Sequence, residues 1–266
     1  MLPNDMLTAV RACVIEAAHA ELTPRFAEVA RGVKADGSLV TVADTAMQQR
    51  MHAALAASFP EFAFMGEEMS AADQAAALHA GARGMWCLDP LDGTTNFANG
   101  VPFFGVSLAL LKDGRPTHAW IYDPIRDECF TADASGVWLN DTPLRPKLWP
   151  RSLQQCIAVV DFKRLAAPLA ARVGREPPYG SQRNFGSCAL EWCWLAAGRF
   201  QLYLHGGQRP WDYAAGALIL QQAGGRSCTL ADEAIFDGTL ATRSVVAALD
   251  ADLHLAWRNW LNPARA

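Results

Sequence analysis

The sequence is short of several things, and each absence removes a class of protein. It contains no Cys-x-x-Cys pair and no HExxH, so no zinc ribbon or zincin centre is indicated. Its seven cysteines (Cys13, Cys87, Cys129, Cys156, Cys188, Cys193 and Cys228) are odd in number and scattered, several of them inside apolar runs. They read as buried free thiols in a reducing compartment rather than as a disulfide framework. No apolar run approaches the roughly 18 residues that a membrane span requires. The opening stretch MLPNDMLTAVRACV lacks the basic start of a secretory leader, and Arg11 soon interrupts it. A soluble, cytoplasmic chain with no membrane partner is expected. Basic surplus is absent too. With 23 Lys and Arg against 27 Asp and Glu, the formal charge is −4, so no nucleic-acid partner is expected. Internal repeats and low-complexity segments are also missing.

What is present is a globular composition. The 266 residues are 51% hydrophobic and 19% charged, enough for one large domain or two modest ones sharing an interface. Apolar spacing predicts a helix over residues 4–30, kinked or divided at Pro24, then a turn at Asp36-Gly37 and a strand at 39–42. A second amphipathic helix carries Met47, Met51, Ala54 and Leu55 and ends near Pro60. Short strands are predicted at 62–65 and 85–88, with an alanine-rich helix at 71–80 between them. Residues 106–111 and 117–122 form a hairpin about Asp113-Gly114, and 129–132 and 137–139 continue a meander. The stretch LNDTPLRPKLWPRS, with three prolines, marks a boundary between subdomains 1–147 and 148–266. Beyond it, strands at 157–160, 183–185, 200–204 and 245–249 alternate with helices at 165–173, 189–197, 211–223 and 253–260. The fold class is therefore α/β, with an α+β N-terminal half and an α/β C-terminal half.

Acids collect where these elements end. Glu67 and Glu68 follow FAFM, and Asp89 and Asp92 follow MWCL. Asp212 stands in the first turn of the helix opened by Pro210, where an acid suits the dipole and proline loses no N–H. Each cluster alone has an ordinary explanation as a turn opener, a solvated corner or a helix-start acid. Three of them at element ends point towards a site. Carboxylates with carbonyls and hydroxyls are what Mg²⁺ takes. Asp89 and Asp92 are spaced to bridge two ions, and Gly93-Thr94-Thr95 offers amides and hydroxyls to an anion.

The motifs GEE at 66–68, DPLDGTTNF at 89–97 and PWDYAAG at 210–216, with VTVAD at 40–44 and AGG at 223–225, resemble the signatures of the inositol monophosphatase family. The resemblance covers about residues 30 to 250. It implies a layered αβαβα sandwich of the inositol monophosphatase and fructose-1,6-bisphosphatase type. It also implies a Mg²⁺-dependent, lithium-sensitive phosphomonoesterase that works by in-line attack of a metal-activated water, and a homodimer. Glu67, Asp89 and the Leu91 carbonyl would hold a first ion, and Asp89, Asp92 and Asp212 a second. Thr94 and Asp44, with Glu67, would serve catalysis. Gly93, Thr94 and Thr95 would seat the phosphate of a small phosphorylated metabolite. Glu68 would act through waters or support the turn, and Lys34 sits in a loop that closes over the site in relatives. At position 205, where inositol phosphatases usually carry an acid for ring hydroxyls, this chain has His205. Inositol 1-phosphate is the first expectation for substrate. Histidinol phosphate, fructose bisphosphate and 3′-phosphoadenosine phosphates are alternatives, as is a non-catalytic partner role in transcription antitermination.

Overall fold

A computed structural model describes residues 3–28, 31–33, 39–147 and 152–262. Lys34, the Asp36-Gly37 turn and the middle of the expected boundary segment lie outside the described residues. Helix α1 (Pro3–Glu21) stops short of Pro24, which falls in a separate 3-10 turn, Thr23–Arg25. The helix expected over 4–30 is thus divided. Proline at 24 has no N–H for the carbonyl four residues back, and its ring collides with that carbonyl. Strands β1 (Arg31–Val33) and β2 (Leu39–Thr41) pair antiparallel. Helix α2 (Val42–Ser58) begins at the residue where the strand was expected to end, because Thr41 and Asp44 form a capping box.

A seven-stranded sheet follows. Its strands are β3 (Ala63–Gly66), β4 (Met85–Asp92), β5 (Gly105–Lys112), β6 (Arg115–Asp123), β7 (Glu128–Asp133), β8 (Gly136–Leu139) and β9 (Thr142–Pro143), hydrogen-bonded in that order. Helix α3 (Ala71–Ala80) makes the crossover that lets β3 and β4 run parallel, and every later pair is antiparallel. The short helix α4 (Thr94–Ala98) leaves the end of β4. Strand β9 escapes the sequence reading: two residues carry no period, and Pro143 fits only an edge.

The C-terminal elements are β10 (Ile157–Asp161), α5 (Ala167–Arg175), β11 (Ser181–Arg183), α6 (Cys188–Ala196), β12 (Leu202–Gln208), α7 (Pro210–Gln222), β13 (Arg226–Cys228), β14 (Arg243–Ala248) and α8 (Ala251–Leu261). Their sheet has the order β11-β10-β12-β14-β13. The expected parallel α/β alternation holds for β11, β10 and β12. Strand β14 is antiparallel to both its neighbours, so this sheet is mixed. No helix separates β13 from β14, and an antiparallel neighbour needs none.

Five layers result. On β4, Trp86 and Leu88 face α1 and α2, packing with Val10, Val14, Met47 and Met51. The alternate residue Cys87 faces the other way, as do Ala109 and Ile121 of the neighbouring strands, onto Trp192 of α6 and Tyr213 and Ile219 of α7. Val159, Tyr203 and Val245 close that middle core from the second sheet. The far face of the second sheet packs Val160, Leu204 and Val246 on Val173 of α5 and Trp257 of α8. The order is helices, sheet, helices, sheet, helices: the αβαβα sandwich. All seven cysteines are free, and five of them are buried. Among the described residues no helix is long and apolar enough to cross a membrane.

Candidate metal and phosphate site

The whole of β4 is buried, including the DPLD that ends it. Pairing with β5 slips between Asp89 and Asp92, so the strand bulges there. In a regular strand residues three apart face opposite sides, and the bulge lets both carboxylates reach one side. Asp89 is braced from within, its Oδ1 accepting the Leu91 N–H at 3.0 Å. Opposite Asp89 in the register stands Ser107, whose hydroxyl donates to the Trp211 carbonyl at 3.0 Å. That bond ties β5 to the first turn of α7 and so brings Asp212 to the end of β4. Carboxylate oxygens of Asp89, Asp92 and Asp212 all lie within 4.8 Å of one another.

Each acid is held by donors that leave other lone pairs free. Asp212 Oδ2 accepts the Arg209 N–H at 2.7 Å at the start of α7. Asp92 Oδ2 accepts the Ser187 hydroxyl and, at 2.7 Å, the Ala189 N–H, both from the start of α6. Glu67 is delivered by β3: its N–H donates to the Leu88 carbonyl at 3.0 Å, which lays the GEE turn along β4. Gln74 Nε2 donates to the carbonyls of Gly66 and Glu67, both at 3.1 Å, and Gln48 Oε1 accepts the Glu68 N–H at 2.9 Å. Glu68 therefore supports the turn through its backbone.

The electrostatics are those of a crowded anion cage. Burial first, and then Glu67, Asp92 and Asp212, push the Asp89 carboxyl well above the usual range. Asp212 is raised by burial and by Asp92 and Glu67. Asp92 rises to about 6 through burial, although the Ser187, Ala189 and Cys188 donors pull it back. Among the described residues none of these three acids makes an ion pair. Like charges held together, two of them buried and none in an ion pair, are the arrangement a cation relieves. The donors are all oxygens, and burial keeps the nearby Cys87 thiol protonated, so the set fits a small hard divalent cation.

Beside the cage stands the Asp44–Thr94 pair. Thr94 Oγ lies 3.1 Å from Asp44 Oδ1 and 3.0 Å from the Leu91 carbonyl. Asp44 Oδ2 accepts the Thr41 N–H at 2.7 Å and its hydroxyl at 2.6 Å, so one carboxylate caps α2 and orients Thr94. Gly93 precedes Thr94 with φ of +88°, and a Cβ there would lie 3.1 Å from the Phe103 carbonyl and 3.3 Å from that of Gly186. The first bond of α4 runs from Phe97 N–H to the Gly93 carbonyl, which leaves the amides ahead of it, Thr94 and Thr95 among them, at the helix start. Thr95 is exposed and Thr94 half-buried. Four helices, α2, α4, α6 and α7, begin around this cage, and their N-terminal ends favour negative charge.

The structure thus brings together Asp44, Glu67, Asp89, Leu91, Asp92, Gly93, Thr94 and Asp212. His205 lies to one side, buried, with Nε2 3.0 Å from Asp161 Oδ2 and 3.7 Å from Cys188 Sγ. Burial works against the Asp161 charge, but His205, the Lys163 N–H and Arg164 hold its carboxyl below the usual range. Sequence reasoning missed Ser187, Gln48, Gln74 and Asp161. Thr41 had a signal in VTVAD, where Thr and Asp three apart make a capping box. Ser187 and Asp161 had none.

Fold and centre together define a class: layered two-sheet sandwiches with a cluster of carboxylates at the end of β4. Comparison with known proteins narrows it. Residues 5–263 match the profile of the inositol monophosphatase family. Inositol monophosphatase 2 of Solanum lycopersicum is 38% identical over 233 residues, 84% of this chain and 85% of the relative. Nus factor SuhB of Pseudomonas aeruginosa is 37% identical over 197 residues, 70% of each. The solved structure of staphylococcal SaIMPase-II with inositol monophosphate bound superposes with a TM-score of 0.79 at 25% identity, covering 97% of this chain and 94% of that one. The chain belongs to the inositol monophosphatase family.

Proposed function

We propose that the protein hydrolyses a phosphate monoester of a small polyol, with inositol 1-phosphate the first candidate. The observation that carries this reading is the cage of Asp89, Asp92 and Asp212 beside the Asp44–Thr94 pair. Family membership and the inositol monophosphate bound to SaIMPase-II support it. Glu67, Asp89, Asp92, Asp212 and the Leu91 carbonyl would hold Mg²⁺. When bound, Mg²⁺ supplies charge neutralisation at the phosphoryl group and Lewis acidity.

The remaining work belongs to the chain. The Thr94 hydroxyl donates a hydrogen bond to Asp44 Oδ1, and its oxygen accepts one from the attacking water. This aims the water's lone pair at phosphorus. Amides at Gly93, Thr94 and Thr95 donate to the phosphoryl oxygens. The P–O bond to the water oxygen forms, the ester P–O bond breaks, and a proton given up by the attacking water passes to the departing oxygen, which leaves as the alcohol. No covalent intermediate on the protein is required.

Phosphate release from a panel of polyol phosphates, with Mg²⁺ and with excess chelator, tests the reading. Release that requires the cation supports it. No release from any monoester would overturn it. A second reading, partnership in transcription antitermination, is favoured by the 37% identity to a protein named Nus factor SuhB. Asp92→Asn separates the two: a cellular role that survives loss of hydrolysis belongs to the second reading. We also propose a homodimer, which light scattering measures directly.

A further inference from the structure

Asp161 ends β10 and His205 stands opposite it in β12, at paired positions of two parallel strands. The Gly207 N–H donates to His205 Nδ1 at 3.1 Å. A ring nitrogen that accepts an N–H carries no proton, so the N–H of this imidazole is at Nε2, facing Asp161 Oδ2 at 3.0 Å. His205 is 3% exposed, and both its nitrogens are engaged. It has no acceptor left for a ligand hydroxyl.

Asp161 does. Its side chain is 19% exposed. Oδ2 accepts from His205 and Oδ1 from the Lys163 N–H at 2.8 Å, which leaves a lone pair on each oxygen. A chain of contacts links the carboxylate to the cage. From Asp161, contacts run through His205 to Cys188 Sγ at 3.7 Å, and the Cys188 N–H hydrogen-bonds to Asp92. Arg164, on the turn that follows Asp161, acts electrostatically on both Asp161 and Asp212. That turn is pressed against β12: a Cβ on Gly206 would lie 1.8 Å from the Arg164 carbonyl. Backbone contact therefore fixes the carboxylate in place.

We propose that Asp161 is the specificity-determining acceptor for substrate hydroxyls, with His205 the residue that positions it. The substrate is then a phosphate ester whose alcohol carries at least one further free hydroxyl. This rests on the phosphatase reading above. A hydroxyl donor pairs with the carboxylate as the alcohol part enters. An alcohol without one leaves a partly buried charge unmatched, and the site rejects it by that difference.

The test compares inositol 1-phosphate with phenyl phosphate, both with Mg²⁺. The proteins are wild type, Asp161→Asn, His205→Ala and His205→Gln. For Asp161→Asn, kcat/KM on inositol 1-phosphate falls about 10- to 100-fold, mostly through KM, while phenyl phosphate changes by no more than about twofold. His205→Ala shifts the ratio in the same direction. Glutamine at 205 sets an amide N–H near the Nε2–H it replaces and keeps the ratio near wild type. Thermal melts of all four check that the fold is retained. An unchanged ratio in Asp161→Asn, or an equal fall on both substrates, overturns the inference and leaves the phosphatase reading standing. A wild-type protein that hydrolyses neither substrate overturns both.

Discussion

Ser187, the residue that caps α6, donates its hydroxyl to the Oδ2 of Asp92 on β4, across 95 positions of the chain. The bond ties the first sheet's acid to the middle helical layer and fixes the direction of the carboxylate. For Ser187→Ala, the Ala189 N–H still holds Asp92, so the acid stays but is less well aimed. Turnover falls about tenfold, with a stability loss on the order of 1 kcal/mol. Steady-state kinetics and urea melts on the same protein separate the two. A large stability loss with kcat unchanged would make the bond a purely structural one.

Thr94 and Asp44 differ in how many duties they perform. Thr94→Ala removes the hydroxyl beside the cage, and kcat falls about 10²- to 10⁴-fold with little change in Tm. Asp44→Asn loses the same orientation and also weakens the cap on α2, so it adds a stability cost of about 1 kcal/mol. Comparing kcat and Tm for the pair checks this division. Equal Tm values would show that the cap does not depend on the Asp44 charge.

On the proposed reading, a divalent cation binds the folded cage and not the unfolded chain. Mg²⁺ at about 100 times its dissociation constant stabilises the protein by about 2.7 kcal/mol. In scanning calorimetry the Tm rises with Mg²⁺ and returns with chelator. Asp89→Asn loses most of that rise, because it removes one of the three clustered carboxylates. On the same reading, lithium is expected to inhibit hydrolysis in an assay at fixed Mg²⁺. A Tm rise unchanged by Asp89→Asn would place the cation elsewhere.

Glu191 gives a pH signature apart from the cage. Its Oε1 accepts the N–H groups of Phe185 and Gly186 at 2.9 and 3.0 Å, bracing the loop that carries Ser187. Burial raises its carboxyl from 4.5 to about 7, although those N–H groups and Tyr203 pull the other way. A raised acid binds its proton more tightly when folded. Its contribution is therefore most favourable below pH 4.5 and is lost as pH climbs to about 7. Glutamine keeps an acceptor oxygen and does not titrate. Wild-type stability accordingly falls relative to Glu191→Gln across that window, by on the order of 3 kcal/mol at most. Chemical denaturation at a series of pH values measures the difference. Parallel curves would contradict it.

Much of the fold was legible because burial imposes a period. Strands β4 to β8 and helix α3 show it plainly, and the turn at Asp113-Gly114 announces its hairpin. The seven-residue β12 was read short, since His205-Gly206-Gly207 breaks the apolar run where the strand bulges. The mixed direction of the second sheet was hidden for a different reason: strand polarity depends on long-range pairing. Among site residues, Asp89, Asp92 and Asp212 stood out through motif and position at element ends. Ser187, Gln48 and Asp161 act through contacts between distant segments, and a polar residue in a loop carries no mark of what it will touch.

The cage also has a timetable. Asp44, Glu67, Asp89 and Asp92 leave the ribosome early, yet Asp212 arrives only with α7, and the Ser107–Trp211 bond that seats it cannot form sooner. Strand β14, which flanks β12 in the second sheet, is made later still. A nascent chain therefore holds an incomplete set of acids until residue 212 has been made. The three-carboxylate cluster is complete only in a chain that has reached α7 and seated it against β5.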